Sequence, residues 1–152
     1  MVRLVAFNLD AQGYALPLCT VERVIRAIEI TRLPRAPEIV LGVVSVHGAI
    51  IPVMNVRRRF RLPEGELNLS DVFILAKTPK RSLALVADAV GGVIERAEED
   101  VVAAANILPG TQYLEGVAKL DGDLILIHDL ERFLSLEEGA TLDEVMAKAE
   151  LG

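Results

Sequence analysis

With 152 residues, 52% of them hydrophobic and 25% charged, the chain has the length of one domain and enough apolar text to bury a core, which excludes a disordered or solvating polymer. A net charge of -6 lacks the basic footprint that phosphate backbones attract, and the single cysteine, Cys19, can supply neither a disulfide framework nor a Cys-based metal site. The charge is divided unevenly, residues 1–70 carrying nine Lys and Arg against six Asp and Glu, and residues 71–152 seven against sixteen.

Met1-Val2-Arg3-Leu4-Val5 lacks the apolar stretch of a signal peptide, and no run of about 18 apolar residues offers a membrane span, so a cytoplasmic, reducing location is expected. Most of the chain consists of short Val-, Ile- and Leu-rich runs punctuated by Gly, Pro and Asp, the pattern of strands. Val2–Leu9 is the first run. Asp10-Ala11-Gln12-Gly13 turns it, with the glycine expected to supply positive φ, and Tyr14-Ala15-Leu16-Pro17 returns as the second arm. Leu18 to Val21 suits one helical turn, in which Cys19 reads as a small buried hydrophobe rather than a nucleophile. Arg23-Val24-Ile25-Arg26 then alternates charged and apolar residues as a half-exposed strand does, and Val24 reads as core-filling.

Leu33-Pro34-Arg35-Ala36-Pro37 is a rigid extended connector, followed by one helical turn over Pro37–Val40. Leu41–Val46, His47-Gly48 and Ala49–Val56 read as two strands around a tight turn, apolar enough for burial on both faces. Arg57, Arg58, Arg59 and Arg61 form a solvated strand end or first helical turn, not a nucleic-acid site, since only Phe60 stands by to stack on bases. Pro63, Gly65, Asn68 and Ser70 mark a loop over 61–70. Val72–Ala76 and Leu83–Val90 make a second hairpin across Thr78-Pro79-Lys80-Arg81, and Gly91-Gly92 breaks or bulges the strand before Val93–Arg96.

Ala97–Tyr113, containing Glu98-Glu99-Asp100, Asn106, Pro109 and Gly110, has no period and is expected to be a loop with a short helix. Leu114–Leu120 and Leu124–His128 around Asp121-Gly122-Asp123 make the clearest hairpin. Asp129 is placed to cap Leu130–Leu134. Beyond Gly139, Thr141 and Glu144 form a capping box for a last helix reaching Leu151, whose Leu142, Val145, Met146 and Ala149 make one apolar stripe in need of a docking surface. About ten strands without βαβ alternation point to an all-β fold of small closed or nearly closed barrels with short helices between them.

Chemistry is harder to find. His47 and His128 are the only side chains placed to act as bases near neutrality, and neither lies in an HxxxH or HxH pattern. His128 and Asp129 are adjacent, but neighbours on a strand point to opposite faces, so the carboxylate suits a helix cap better than an imidazole orienter. GxSxG, GxxxxGK and GxGxxG are missing, and neither Glu98-Glu99-Asp100 nor Asp121-Gly122-Asp123 has the ligand spacing of a calcium loop. A binding module is favoured over an enzyme. A ligand sensor remains the alternative: it needs a deep apolar pocket with convergent polar groups, where an adaptor presents shallow exposed patches.

One further signal is carried by motif order: Leu4-Val5-Ala6-Phe7-Asn8-Leu9, Tyr14-Ala15-Leu16-Pro17-Leu18, Val21 to Arg26, Ile30 to Pro37, Gly42-Val43, Gly48-Ala49-Ile50-Ile51-Pro52-Val53, Val86-Ala87-Asp88-Ala89-Val90, and Leu114-Glu115-Gly116 through Leu130. Together they resemble the CheW family of chemotaxis coupling proteins, over about residues 2 to 135. The resemblance implies one CheW-like domain over 1–152, made of two packed five-stranded SH3-like barrels, with 139–152 as a C-terminal helical extension. It implies a non-enzymatic cytoplasmic adaptor, requiring no cofactor or metal, that couples the cytoplasmic tip of methyl-accepting chemotaxis receptors to the regulatory domain of the histidine kinase CheA. No nucleic acid and no direct membrane insertion are implied. Val21, Arg23 and His47 carry over as receptor-facing, and Gly42 as kinase-side support. Family members often have a glutamate where this chain has Arg23 and an arginine where it has His47. That replaces an attractive pair by two like charges whenever the imidazole is protonated, and so implies a divergent member with changed partner specificity.

Overall fold

The computed structural model describes residues 1–103 and 113–151. Its strands are β1 (Val2–Leu9), β2 (Gln12–Pro17), β3 (Val21–Arg26), β4 (Val40–Val46), β5 (Ala49–Met54), β6 (Val72–Lys77), β7 (Ser82–Ala87), β8 (Ala89–Arg96), β9 (Val101–Ala103), β10 (Leu114–Leu120) and β11 (Asp123–His128). Two α-helices join them, α1 (Val56–Arg59) and α2 (Leu136–Leu151). Leu18–Thr20 makes the expected single turn, a 3-10 one, although Cys19 within it is exposed rather than buried.

The expected pair of five-stranded barrels is not what forms. One sheet has six strands in the order β8-β1-β2-β11-β10-β9, the other five in the order β3-β6-β7-β5-β4, and neither ladder closes on itself. Both are mixed, with β11 parallel to β2 and β5 parallel to β7. In the five-stranded sheet the β4 edge meets Thr31, on the segment leaving β3, through one isolated bridge in which the Thr31 and Val43 amides donate to each other's carbonyls at 2.9 and 2.8 Å. No further pairing joins them among the described residues, so the two edges are tied at a point and left unzipped.

Turn chemistry places most hairpins. Asp121-Gly122 and His47-Gly48 each carry two consecutive positive φ angles, 46° and 85° in the first and 50° and 82° in the second, as two-residue turns of right-twisted hairpins require. Between β1 and β2 the positive φ falls on Asp10, not Gly13. The run expected to extend through Val90 breaks at Asp88, where the chain crosses from the five-stranded sheet to the six-stranded one. Gly91 is the extra residue of a bulge, since Ala6 faces Gly92 while Phe7 faces Val90. The segment after Ala97 holds the expected short helix as a 3-10 turn at Glu98–Asp100, but adds strand β9, which was not expected; Asn106, Pro109 and Gly110 lie outside the described residues.

The sheets pack face to face. Phe7, Leu9, Tyr14 and Leu16 from one meet Met54, Ile74 and Leu85 from the other, and Leu142 and Met146 of α2 join the same cluster, so the terminal apolar stripe docks on its own chain. Each curled sheet also holds a core on its other face: Val44, Val53, Phe73 and Leu75 in one, Leu4, Ala118, Ile125 and Ile127 in the other. Burial on both faces of β4 is not found, for the strand alternates and leaves Leu41 exposed. Helix α2 starts at Leu136, ahead of the expected cap at Thr141: Ser135 Oγ accepts from the Glu138 amide at 3.0 Å and Glu138 Oε1 from the Ser135 amide at 2.9 Å. That capping box carries the helix through Gly139, which alone costs about 1 kcal/mol relative to Ala. No helix among the described residues is long and apolar enough to cross a membrane.

Candidate functional site

Strand β3 is an edge, paired only with β6, and its register decides what it displays. Val21 stands opposite Ala76 and Arg23 opposite Leu75, so Glu22 is the extra residue of a bulge. In an unbroken strand Val21 and Arg23 would share a face. Here they do not: Ala76 belongs to the central core, against which Val21 packs, whereas Leu75 belongs to the core inside the five-stranded sheet, where Ile25 also lies. Glu22, Arg23, Val24 and Arg26 are exposed. Val24, read from sequence as core-filling, is 39% exposed.

Arg23 reaches the β4–β5 turn, its Nη1 lying 2.5 Å from His47 Nε2. A guanidinium only donates, so the bond requires a lone pair on Nε2 and a neutral ring. The two residues expected to repel therefore act as partners while the imidazole is neutral, and protonation removes the acceptor. Gly42 stands on the opposite edge strand. A Cβ there would clash with the Thr31 carbonyl oxygen, so its lack of a side chain is what admits the crossing segment to its bridge with β4. Of the four residues singled out by sequence, the structure brings Arg23 and His47 together, turns Val21 to the central core and places Gly42 beneath Thr31.

The arginine run does form a helical turn, but not a merely solvated one. Asn55 caps α1 by accepting from the Arg58 amide at 3.1 Å. Arg57 bridges Asp10, at 3.0 Å, and Asp88, at 2.7 Å. Burial works against its charge, and the hydrogen bonds it donates to Asp88 and Asp10 outweigh burial, holding its pKa above the ordinary value. Arg58 pairs with Glu38. Arg59 reaches Glu138 at 2.5 Å and Tyr113 Oη at 3.1 Å, beneath the Tyr113 and Phe133 rings. No sequence signal could have found these partners, because they stand 20 to 79 residues away.

His128 is fully buried, its ring among those of Phe7, Tyr14, Phe60 and Phe133 at centroid distances of 5.4, 5.0, 4.6 and 6.5 Å. Neither ring nitrogen has a hydrogen-bond partner among the described residues. Burial lowers its pKa to about 3, which removes it from the bases available near neutrality. A groove of about 470 Å³ beneath residues 63–68 is walled by Asp10, Arg57 and Asp88, which already satisfy one another. Among the described residues no three His, Cys, Asp or Glu side chains converge as metal ligands do.

The family model for the CheW-like domain matches residues 3–138. The sequence is similar to the chemotaxis protein CheW of Treponema pallidum, 25% identical over 142 residues that cover 90% of this chain and 84% of the relative. It is also similar to the chemotaxis protein CheW of Thermotoga maritima, 28% identical over 132 residues, with 86% of each chain covered. The crystal structure of the scaffolding protein TtCheW from Thermoanaerobacter tengcongensis aligns with a TM-score of 0.82 at 27% identity, over 90% of this chain and 94% of that one.

Proposed function

The chain belongs to the CheW-like domain family, and we infer from that premise that it is a non-enzymatic scaffold linking chemoreceptors to a CheA-type histidine kinase in chemotaxis signalling. The observation that carries this is the family match across nearly the whole chain. The physics suits the role. Two sheets locked on a shared core make a preformed platform, which loses little conformational freedom when it binds, and exposed edges offer docking surface without any bond being made or broken.

Within that role, the cytoplasmic tip of the receptor docks on the β3 edge and the His47 turn, and the regulatory domain of the kinase on the side that Gly42 supports. The mutual contact of Arg23 and His47 and the exposure of Val24 favour the first assignment. Val21 backs that strand from the central core. The chain works in the cytoplasm as one unit over 1–152. The helix past residue 138 is an extension of the family domain, with Leu142 and Met146 inserted in the same core as Phe7 and Leu85.

The test is reconstitution. The full chain is mixed with a CheA-type kinase and a receptor cytoplasmic hairpin encoded in the same genome. A three-component complex by size-exclusion chromatography, with kinase autophosphorylation that depends on the chain, is the expected result. Association of kinase and receptor that is indifferent to the chain would overturn the reading.

A further inference from the structure

Two groups stand out among the twelve arginines of this acidic chain, with Arg61 past α1 and Arg96 at the end of β8, both outside the ion pairs formed among the described residues, belonging to neither. Arg3, Arg57, Arg58, Arg59, Arg81 and Arg132 each face a carboxylate within 4.0 Å. Arg23, Arg26, Arg32 and Arg35 are all exposed and take part in none of the ion pairs formed among the described residues. These four lie on β3 and on the segment that leaves it to bridge β4 at Thr31, where they outnumber the exposed Glu22 and Glu29, so this edge of a molecule of net charge -6 is locally positive. Val24 and Ile28, 39% and 40% exposed, stand among them. Apolar side chains flanked by an excess of positive charge that no ion pair takes up are the makings of a docking surface whose missing counter-charge comes from the partner.

Resting on the scaffold reading above, we propose that the surface docked on the β3 edge is acidic, with Arg23 the specificity-determining contact and His47 its positioning residue. The bond from Arg23 Nη1 to His47 Nε2 fixes one nitrogen of the guanidinium and neutralises none of its charge. The remaining donors are left for a partner carboxylate, which can take two of them side by side. His47 can do this because an imidazole with a lone pair on Nε2 accepts a hydrogen bond without adding charge. A carboxylate at position 23 would select a partner of the opposite sign. The inference therefore names the chemistry of the surface this scaffold recognises: an acidic, partly apolar receptor tip.

The test measures binding of the full chain to the receptor cytoplasmic hairpin, with kinase binding as the control for an intact fold. Arg23→Glu weakens hairpin binding by about tenfold or more, and one hairpin in a series carrying single acidic-to-Lys changes at its tip restores it. Wild-type affinity falls between about 50 and about 300 mM salt, as screening of exposed charges requires. His47→Gly keeps the left-handed turn but removes the acceptor, and weakens binding with unchanged melting; His47→Asn, which fits the turn and restores an acceptor, recovers it. Equal hairpin binding by wild type and Arg23→Glu, or no hairpin change that alters wild-type affinity, overturns the charge assignment while leaving the scaffold reading standing. A wild-type chain that binds the kinase and ignores the hairpin removes the docking reading and this inference with it.

Discussion

Arg59, in the last turn of α1, bonds the Glu138 carboxylate in the first turn of α2 at 2.5 Å, and the same carboxylate closes the capping box on Ser135. One side chain thus starts a helix and anchors it to a helix 79 residues earlier in the chain. Burial opposes the charge of Glu138, but the Ser135 amide and the Arg59 guanidinium hold its pKa below the ordinary carboxylate value.

Glu138→Ala removes both contacts and leaves Arg59 mostly buried without its counter-charge. A loss of about 2 kcal/mol in urea unfolding is expected, and about half that for Glu138→Gln, which keeps the cap. Equal stability of the two variants would show that the capping box contributes nothing beyond the ion pair.

His128 makes the fold acid-sensitive. Its pKa is about 3 in the native state, against about 6.5 in the unfolded chain. Between those values the unfolded chain binds a proton that the native one does not, so stability is complete above the unfolded pKa and declines as pH falls. The loss from pH 7 to pH 5 is about 2 kcal/mol. The depressed pKa of Glu138 adds to the loss at lower pH, and the raised pKa of Glu115, due to burial and to Asp129 and Glu131, acts in the opposite sense. His128→Leu, which fills the aromatic cage without polar atoms, flattens the profile between pH 7 and 5; an unchanged slope would assign the sensitivity to other groups.

Gly42→Ala drives a methyl group into the Thr31 carbonyl. A loss of about 2 kcal/mol or more is expected, with faster hydrogen exchange at the Thr31 and Val43 amides. Gly48→Ala has open space around the new methyl and bears only the strain of its positive φ, near 1 kcal/mol. Similar costs for the two would mean that the close approach is not what requires glycine at position 42.

Arg57 clasps the β1–β2 turn to the strand crossing at Asp88. Arg57→Met costs about 1 kcal/mol, and double-mutant cycles give stronger coupling to Asp88, the shorter and less exposed partner, than to Asp10. The reverse order would locate the clasp at the turn.

Much of the local structure is legible in the chain because the relevant forces act between near neighbours. Alternation and Asp-Gly chemistry mark the hairpin of β10 and β11, the Gly91-Gly92 pair marks the β8 bulge, and the Asp129 side chain accepts from the Glu131 amide as a cap should. The start of α2 was legible too, in Ser135-Leu136-Glu137-Glu138, but Gly139 obscures it because glycine ordinarily marks a helix boundary. At the candidate site the exposure and charge of Arg23 could be read, whereas the Glu22 bulge that separates its face from that of Val21 could not, because a bulge depends on the register of the partner strand.

The amino-acid sequence by itself determined the strand content, the principal turns and the family, since these follow from residue preferences, periods and motif order along the chain. Tertiary structure decided that both sheets remain open ladders, the five-stranded one tied at Thr31 and Val43, that α1 fans its arginines to distant carboxylates, that His128 is sealed among aromatic rings, and that Arg23 leans on His47. Those outcomes depend on which remote segments are brought within a few ångströms of one another, and coulombic pairing, desolvation and steric exclusion act at that range whatever the separation in sequence.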